Sequence, residues 1–289
     1  MEEERFYFGY GSNLNGADWE KWCKKRGADP ALMNCVGSAW LLDHSMRFHY
    51  HSTGRKGGAA DVVEDAKGTV VPGAVFSLTD DGWDLMDKKE GHPRYYQRVP
   101  VQVVTVEGSV LNAITYTVTQ EKREPFHVPP TDEYANLIHE GLRHRKLPIE
   151  HLNSAIEIYE SKSQLNHVFV YGTLMRGESR WLQLEPWSTD EVLDGHIKGR
   201  LYRLGTYPGL RLDEEGTVHG ELHRCEDIEK VLERLDTIEG HNEQNLGEGL
   251  YVRVPVSVQT LNGAVWAWTY VFNEVPDAST WMQEGRWVS

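Results

Sequence analysis

Apolar and polar residues alternate over several short stretches rich in aromatic and β-branched side chains. These stretches, Arg5–Tyr10, Val99–Val106, Asn166–Tyr171 and Val254–Val258, are predicted as strands. Pro100 and Pro255 suit a strand start or an edge. Apolar positions at helical spacing predict helices over Asn15–Lys25, Asp80–Lys89, Asp132–Arg145, Ile149–Tyr159 and Asp227–Thr237. Asn13 or Asn15 can cap the first, Thr131 opens the third, and Pro148 separates the third from the fourth. Gly91 and Gly240 stand where helix C-termini favour glycine. Arg55-Lys56-Gly57-Gly58 is predicted as a glycine-rich loop, and Asn242–Gly249 as a flexible acidic one. Strands dominate and do not alternate with helices as βαβ units, which points to an α+β fold with a curled, barrel-like sheet.

The pattern occurs twice. Glu90-Gly91-His92 precedes Tyr96-Gln97-Arg98-Val99-Pro100-Val101, and Glu239-Gly240-His241 precedes Tyr251-Val252-Arg253-Val254-Pro255-Val256. Phe8-Gly9-Tyr10-Gly11-Ser12-Asn13-Leu14 matches Phe169-Val170-Tyr171-Gly172-Thr173-Leu174, and Gly73-Ala74-Val75-Phe76 matches Gly220-Glu221-Leu222-His223. The strand at Asn112–Tyr116 matches one ending at Tyr270, while Asp87 and Asp236 each stand three residues before the Glu. Ordered self-similarity of this kind implies two related domains and two sites. The polar run Ser161-Lys162-Ser163-Gln164 marks the boundary, giving domains 1–163 and 165–289. The segment Thr131–Glu160 has no counterpart in the second half.

The 289 residues suffice for two cores. The formal net charge of −14 disfavours nucleic acid or an anionic membrane surface as partner. No apolar run reaches the ~18 residues of a membrane span, and the acidic start Met1-Glu2-Glu3-Glu4 is unlike a secretory signal, so a cytoplasmic location is expected. Cys23, Cys35 and Cys225 form no CxxC pair and are expected to be isolated thiols, with neither disulfide framework nor zinc site.

Candidate chemistry lies in the duplicated turns and acids. Backbone amides at Tyr10-Gly11-Ser12-Asn13 and Tyr171-Gly172-Thr173 follow a strand and form a natural cradle for a carboxylate or phosphate. Neither turn is a P-loop, and Leu14 stands where a dinucleotide fingerprint requires glycine. Glu90 and Glu239 sit at helix C-termini, where the dipole mildly disfavours acids. The residues leave two readings open: an exposed helix end, which that penalty makes harder to explain as surface decoration, or a general base whose pKa is raised in a partly desolvated cleft. His92 and His241 are expected near the cleft mouth. No metal-binding spacing or nucleophile motif such as GxSxG is present.

These residues resemble the gamma-glutamylcyclotransferase family. In the first half the resemblance rests on the FGYGSNL turn, Gly57-Gly58-Ala59-Ala60-Asp61, the stretch ending at Glu90-Gly91, and Tyr95-Tyr96-Gln97-Arg98-Val99-Pro100. The second half is more similar to the AIG2-like, gamma-glutamylamine cyclotransferase branch, through VYGTLMRG, Gly199–Leu210, Gly220–His223 and Leu235–Gly240. The resemblance implies two tandem cyclotransferase-like domains, each a small mixed β-barrel with flanking helices, packing as an internal pseudo-dimer. It also implies an intramolecular reaction on a small γ-glutamyl substrate. The free α-amine attacks the side-chain amide, releasing 5-oxoproline and an amine or amino acid, with no cofactor and no metal. By the same resemblance, Tyr10, Gly11, Ser12, Asn13 and Leu14 grip the glutamyl group in the first domain and Glu90 moves the proton, with Tyr96 and Tyr116 as further substrate contacts. Tyr171, Gly172, Thr173, Leu174, Glu239 and Tyr251 are the counterparts in the second. Five residues separate Glu90 from Tyr96 whereas eleven separate Glu239 from Tyr251, which leaves the placement of Tyr251 open. Other readings are one catalytic domain beside a non-catalytic binding or structural one, or a binding protein for γ-glutamyl metabolites.

Overall fold

The structure, a computed structural model, describes residues 6–157 and 164–289. The expected strand start at Arg5, the end of the fourth helix beyond Glu157, and Ser161-Lys162-Ser163 lie outside the described residues. The described chain divides into two compact units, one of residues 6–103 and 111–157, the other of residues 164–289 with 104–110.

The first unit runs β1 (Phe6–Gly9), α1 (Gly16–Lys24), β2 (Met33–Leu42), β3 (His44–Ser52), β4 (Gly57–Glu64), β5 (Val70–Leu78), α2 (Asp80–Glu90), β6 (Tyr96–Thr105), β7 (Val110–Val118), α3 (Asp132–His144) and α4 (Glu150–Glu157). Its barrel closes in the order β1-β5-β2-β6-β7, with β1 antiparallel to β5 and parallel to β7. Strands β3 and β4 form a separate antiparallel ribbon. Fully buried Phe8, Trp40, Phe48 and Met86 mark the core.

The second unit runs β8 (His167–Val170), β9 (Ser188–Lys198), β10 (Arg200–Arg203), β11 (Pro208–Arg211), β12 (Thr217–Cys225), α5 (Ile228–Glu239), β13 (Tyr251–Thr260), β14 (Gly263–Phe272) and β15 (Trp281–Met282). Its barrel, β12-β8-β14-β13-β9, has the same cyclic order as the first once equivalent strands are matched, including the parallel pair β8/β14. The ribbon of the first unit is replaced by a small sheet, β11-β10-β15. Both units are thus mixed barrels with flanking helices, the α+β class expected from the sequence. Among the described residues no helix is long and apolar enough to cross a membrane, and Cys23, Cys35 and Cys225 are free thiols.

Local chemistry explains the elements. Asn15 accepts from the Asp18 amide and caps α1, Thr79 caps α2, Thr131 caps α3 and Asp227 caps α5. Two expectations are corrected. Gly57 and Gly58 are the first residues of β4 rather than a loop: a Cβ at Gly58 would lie 1.9 Å from the Val128 carbonyl oxygen, so glycine is there for close backbone approach. Pro100 and Pro255 lie inside β6 and β13, which begin earlier, at the tyrosines. Around Pro255, β13 pairs with β14 alone and meets β9 only at Gln259 and Thr260, so the missing N–H breaks no ladder.

The duplicated strand glycines have one cause. A Cβ at Gly73 would lie 2.5 Å from the Gly9 oxygen, and one at Gly220 would lie 2.1 Å from the Val170 oxygen. In each barrel the strand paired antiparallel with the first, β5 with β1 and β12 with β8, comes into backbone contact with it at that glycine. We expect Gly220→Ala to destabilise the protein by about 1–3 kcal/mol, read as a lower denaturant midpoint. Gly16→Ala, with nothing within 4 Å of the added carbon, is the control and should leave the midpoint unchanged or higher. Equal midpoints for the two variants would refute the close-approach account.

Candidate active site

In the first unit, α2 ends at Glu90 because Gly91 takes the left-handed conformation, φ 66°, and donates its amide to the Asp87 carbonyl. The His92 amide donates to the same oxygen at 2.9 Å. Facing this end is the turn after β1, a single 3-10 turn over Ser12–Leu14. The amides of Gly11, Ser12 and Asn13 find no acceptor among the described residues. Asn13 Nδ2 donates to Glu90 Oε1 at 2.9 Å and to the Tyr7 hydroxyl at 2.8 Å, while its buried Oδ1 has no partner. Turn and acid enclose a cavity of about 30 Å³. Tyr10, Gly11, Ser12, Asn13, Glu90, Tyr96 and Tyr116 all line it, but Leu14 does not. Leu14 is packed against Gly141 of α3. Outside the cavity a polar cleft of about 680 Å³ shares Ser12, Glu90, Tyr96 and Tyr134 with it.

In the second unit, α5 ends at Glu239 with Gly240 at φ 64°. A cavity of about 120 Å³ is lined by Tyr171, Gly172, Thr173, Leu174, Glu239 and Tyr251, every residue expected there. The amides of Gly172, Thr173 and Leu174 find no acceptor among the described residues. No asparagine occupies the place of Asn13, and Glu239, half-buried, has no hydrogen-bond partner among the described residues. Burial pushes its pKa from 4.5 up to about 7, against the opposing pull of the Arg180 guanidinium. Tyr251 is in the cavity despite the longer connection, its hydroxyl donating to the Pro208 carbonyl at 2.6 Å. The connecting loop is packed rather than loose. Asn242 accepts from the Gln244 and Asn245 amides, Asn273 donates to the Leu246 and Gly249 carbonyls, and Glu243 and Glu248 face solvent.

The same hydrogen bonds hold both sites. Tyr10 donates to the Tyr116 carbonyl and Tyr171 to the Tyr270 carbonyl, each at 2.6 Å. Thr115 donates to the Phe8 carbonyl at 2.9 Å and Thr269 to the Phe169 carbonyl at 3.0 Å. The Tyr116 hydroxyl donates to Asp87 and the Tyr270 hydroxyl to Asp236, each at 2.6 Å. Arg98 grips Asp87 through two bonds of 2.9 Å, and Arg253 approaches Asp236 at 3.4 Å. The Tyr116 ring therefore lines the cavity while its hydroxyl is committed elsewhere.

Other side chains take parts the sequence did not announce. Tyr134 comes from α3, in the segment without a counterpart, and its hydroxyl accepts from the Ala60 amide. Arg55 donates to Ser12 Oγ at 2.9 Å and to Asp18 at 2.8 Å. Arg180 and Tyr207 border the second cavity; the repeat has no matching Arg, and Tyr207 stood inside a recognised motif without a role. His92 and His241 are not at a cleft mouth: His92 packs edge-on against Tyr116, and buried His241 accepts from the Arg253 amide. A Ser188–His223–Glu221 chain spans β9 and β12 at 2.8 and 3.1 Å, but His223 is fully buried and Ser188 donates to its neighbour's carbonyl, so it staples strands.

Comparison with known proteins gives the family. A protein of Vibrio cholerae provisionally named a gamma-glutamylcyclotransferase is 31% identical over 125 residues, 42% of this chain and 93% of its own. A Niallia circulans enzyme named gamma-L-glutamyl-butirosin B gamma-glutamyl cyclotransferase is 33% identical over 108 residues, 37% of this chain and 67% of its own. A solved gamma-glutamyl cyclotransferase structure aligns with a TM-score of 0.45 and 25% identity over 54% of this chain and 88% of its own. The family model for gamma-glutamyl cyclotransferase, AIG2-like, matches residues 7–136 and again 168–289. The chain therefore belongs to the AIG2-like gamma-glutamyl cyclotransferase family, with one match in each of the two halves of its sequence.

Proposed function

We propose that each half of the chain, domains 1–163 and 165–289, closes the γ-glutamyl group of a small substrate into 5-oxoproline and releases the attached amine. One observation carries the reading. In both units the acid that ends a helix shares a cavity with a turn whose amides have no acceptor. The amides of Gly11, Ser12 and Asn13, or of Gly172, Thr173 and Leu174, receive the glutamyl α-carboxylate, as oriented N–H groups do for anions. The α-ammonium then falls beside the carboxylate of Glu90 or Glu239. In the first unit the unpartnered Asn13 Oδ1 supplies a second acceptor for it.

The acid takes one proton from the ammonium, and the freed amine attacks the side-chain carbonyl carbon. The carbon–nitrogen bond to the leaving group breaks as the five-membered ring forms. A second proton leaves the new ring nitrogen, and both end on the departing amine, so no net acid or base is consumed. The nucleophile belongs to the substrate, and holding a folded-back conformer supplies most of the effective concentration. Proton transfer is the residual difficulty. From a free α-amine near 7.7–8.0 to an ordinary Glu near 4.3 it is uphill by roughly 5 kcal/mol. With Glu239 at about 7 the same transfer costs only ~1 kcal/mol.

Two experiments test this. Release of 5-oxoproline from a γ-glutamyl panel should fall at least ~100-fold in the folded Glu90→Gln, Glu239→Gln double variant; full retention refutes the assignment. In each single variant the remaining activity reports the other unit, and a silent unit is a scaffold. With only Glu239 intact, kcat/KM should show a limb near pH 7 as the base ionises.

The second experiment reads stability. The folded pKa of Glu239 lies above its unfolded value, so between about 4.5 and 7 the native state holds the extra proton and stability falls as pH rises. Glu239→Gln should therefore be more stable than wild type above pH 7, by up to ~3 kcal/mol of unfolding free energy, with the gap closing below pH 4.5. A gap independent of pH would contradict the raised pKa.

A further inference from the structure

Three tyrosines that wall the first cavity meet at one residue's main chain. Tyr96 donates to the Ala60 carbonyl at 2.8 Å, Tyr10 reaches the same oxygen at 3.5 Å, and the Ala60 amide donates to the Tyr134 hydroxyl at 3.3 Å. All four residues line the cavity that holds Glu90. Ala60 lies on β4, in the ribbon that is separate from the barrel, so the barrel's own ladder does not fix it. The next residue does. Asp61 is fully buried and, because side chains alternate along a strand, faces the side of β4 opposite to Ala60. Its Oδ1 accepts from the Val62 amide at 2.9 Å and from the Val118 amide of β7 at 2.8 Å. Its Oδ2 accepts from His49 Nε2 at 2.7 Å and from Arg123 Nε at 3.0 Å. The bond to Val118 ties the ribbon to a barrel strand. The Ala60 carbonyl and the Asp61 amide belong to one planar peptide, so holding Asp61 also holds that carbonyl.

A carboxylate taken out of water is a poor source of stability, because its desolvation offsets much of the gain from its partners. The second unit reaches the same end without one. Tyr251, the counterpart of Tyr96, donates to the carbonyl of Pro208 at the start of β11, where the proline ring already restrains the backbone. Both units therefore seat this tyrosine on a main-chain carbonyl, and the first does so with a buried charge behind it. We propose that Asp61 is a positioning residue of the first site. It holds the Ala60 main chain, and through it Tyr96, Tyr10 and Tyr134, at the spacing the cavity needs around Glu90. The inference rests on the cyclotransferase reading and adds a residue that acts on the same site from behind its wall.

The test uses full-length protein with Glu239→Gln, which leaves the first site alone to act. It reads 5-oxoproline released from γ-glutamyl-alanine and γ-glutamyl-ethylamine, well below the unfolding midpoint of every variant. Asp61→Asn keeps the shape and one oxygen for the Val62 and Val118 amides, but its nitrogen cannot accept from His49 or Arg123. We expect kcat to fall about 10–100-fold, as for a displaced catalytic group, with KM changed far less. Arg123→Met removes one donor at the half-buried end of the cluster and should lose part of the same kcat, and Arg123→Lys less of it. The deciding comparison repeats these substitutions in Tyr96→Phe protein, which lacks the hydroxyl that Ala60 seats. There a positioning effect shrinks by at least ~3-fold, whereas a general loss of folding keeps its size. Unchanged kcat in folded Asp61→Asn, or an equal loss with and without the Tyr96 hydroxyl, overturns the inference alone. If Asp61→Asn does not fold, the same two outcomes for Arg123→Met decide it. No 5-oxoproline from the Glu239→Gln parent overturns the reaction in this unit, and the positioning role with it.

Discussion

Everything at each site depends on an aspartate one turn before the acid. Asp87 and Asp236 accept a tyrosine hydroxyl from the last barrel strand at 2.6 Å, and an arginine from the preceding strand stands beside each. The same tyrosines, through their main-chain carbonyls, accept from Tyr10 and Tyr171 at the start of the amide-bearing turns. One strand thus ties together the two parts that must meet, the turn and the helix end. The glycine after the acid completes the lock by returning its amide to the aspartate carbonyl. This anchoring overcomes the mild penalty of placing a carboxylate at the negative end of a helix.

The shared framework leaves the electrostatics of the acid free to diverge. Glu90 is oriented by Asn13 and opens onto a cleft crowded with cations. Glu239 has no donor of its own, sits among Ile238, Leu250 and tyrosines, and titrates near neutrality because burial removes water from its charged form. The difference traces to few positions: an asparagine present in one turn and absent from the other, and a lysine exchanged for isoleucine one residue before the acid.

How much of this was legible in the sequence follows from what each feature needs. Strand alternation, helix caps and the Glu-Gly stop are local, so the barrels, α2, α5 and both acids could be read directly. The repeat made the correspondence of the turns visible. Gly57 and Gly58 were misread as a loop because a glycine required for backbone approach looks like one required for a turn. Pro255 was misplaced because it lies where β13 has a single partner, a fact of register. Tyr134, Arg55 and Arg180 carry no local signature; they reach the cavities from distant elements, and only the closed barrel reveals it.

A reaction whose nucleophile is built into the substrate asks little of the protein at the ring-closing centre. Anchoring a carboxylate and moving a proton can be done by three amides and one acid, and these are the parts the two units have in common. Differences between the two units are then expected around the acid and away from the turn. That is where the units differ most: α3 with Tyr134 and a cationic cleft in one, the β10–β11 hairpin with Pro208 and an apolar wall in the other. With the free amides of the turn fixed by the shared framework, side chains elsewhere around each cavity can change without disturbing that turn. A duplicated barrel of this kind is free to hold the turn and the acid constant while the walls around them diverge, cationic in one copy and apolar in the other.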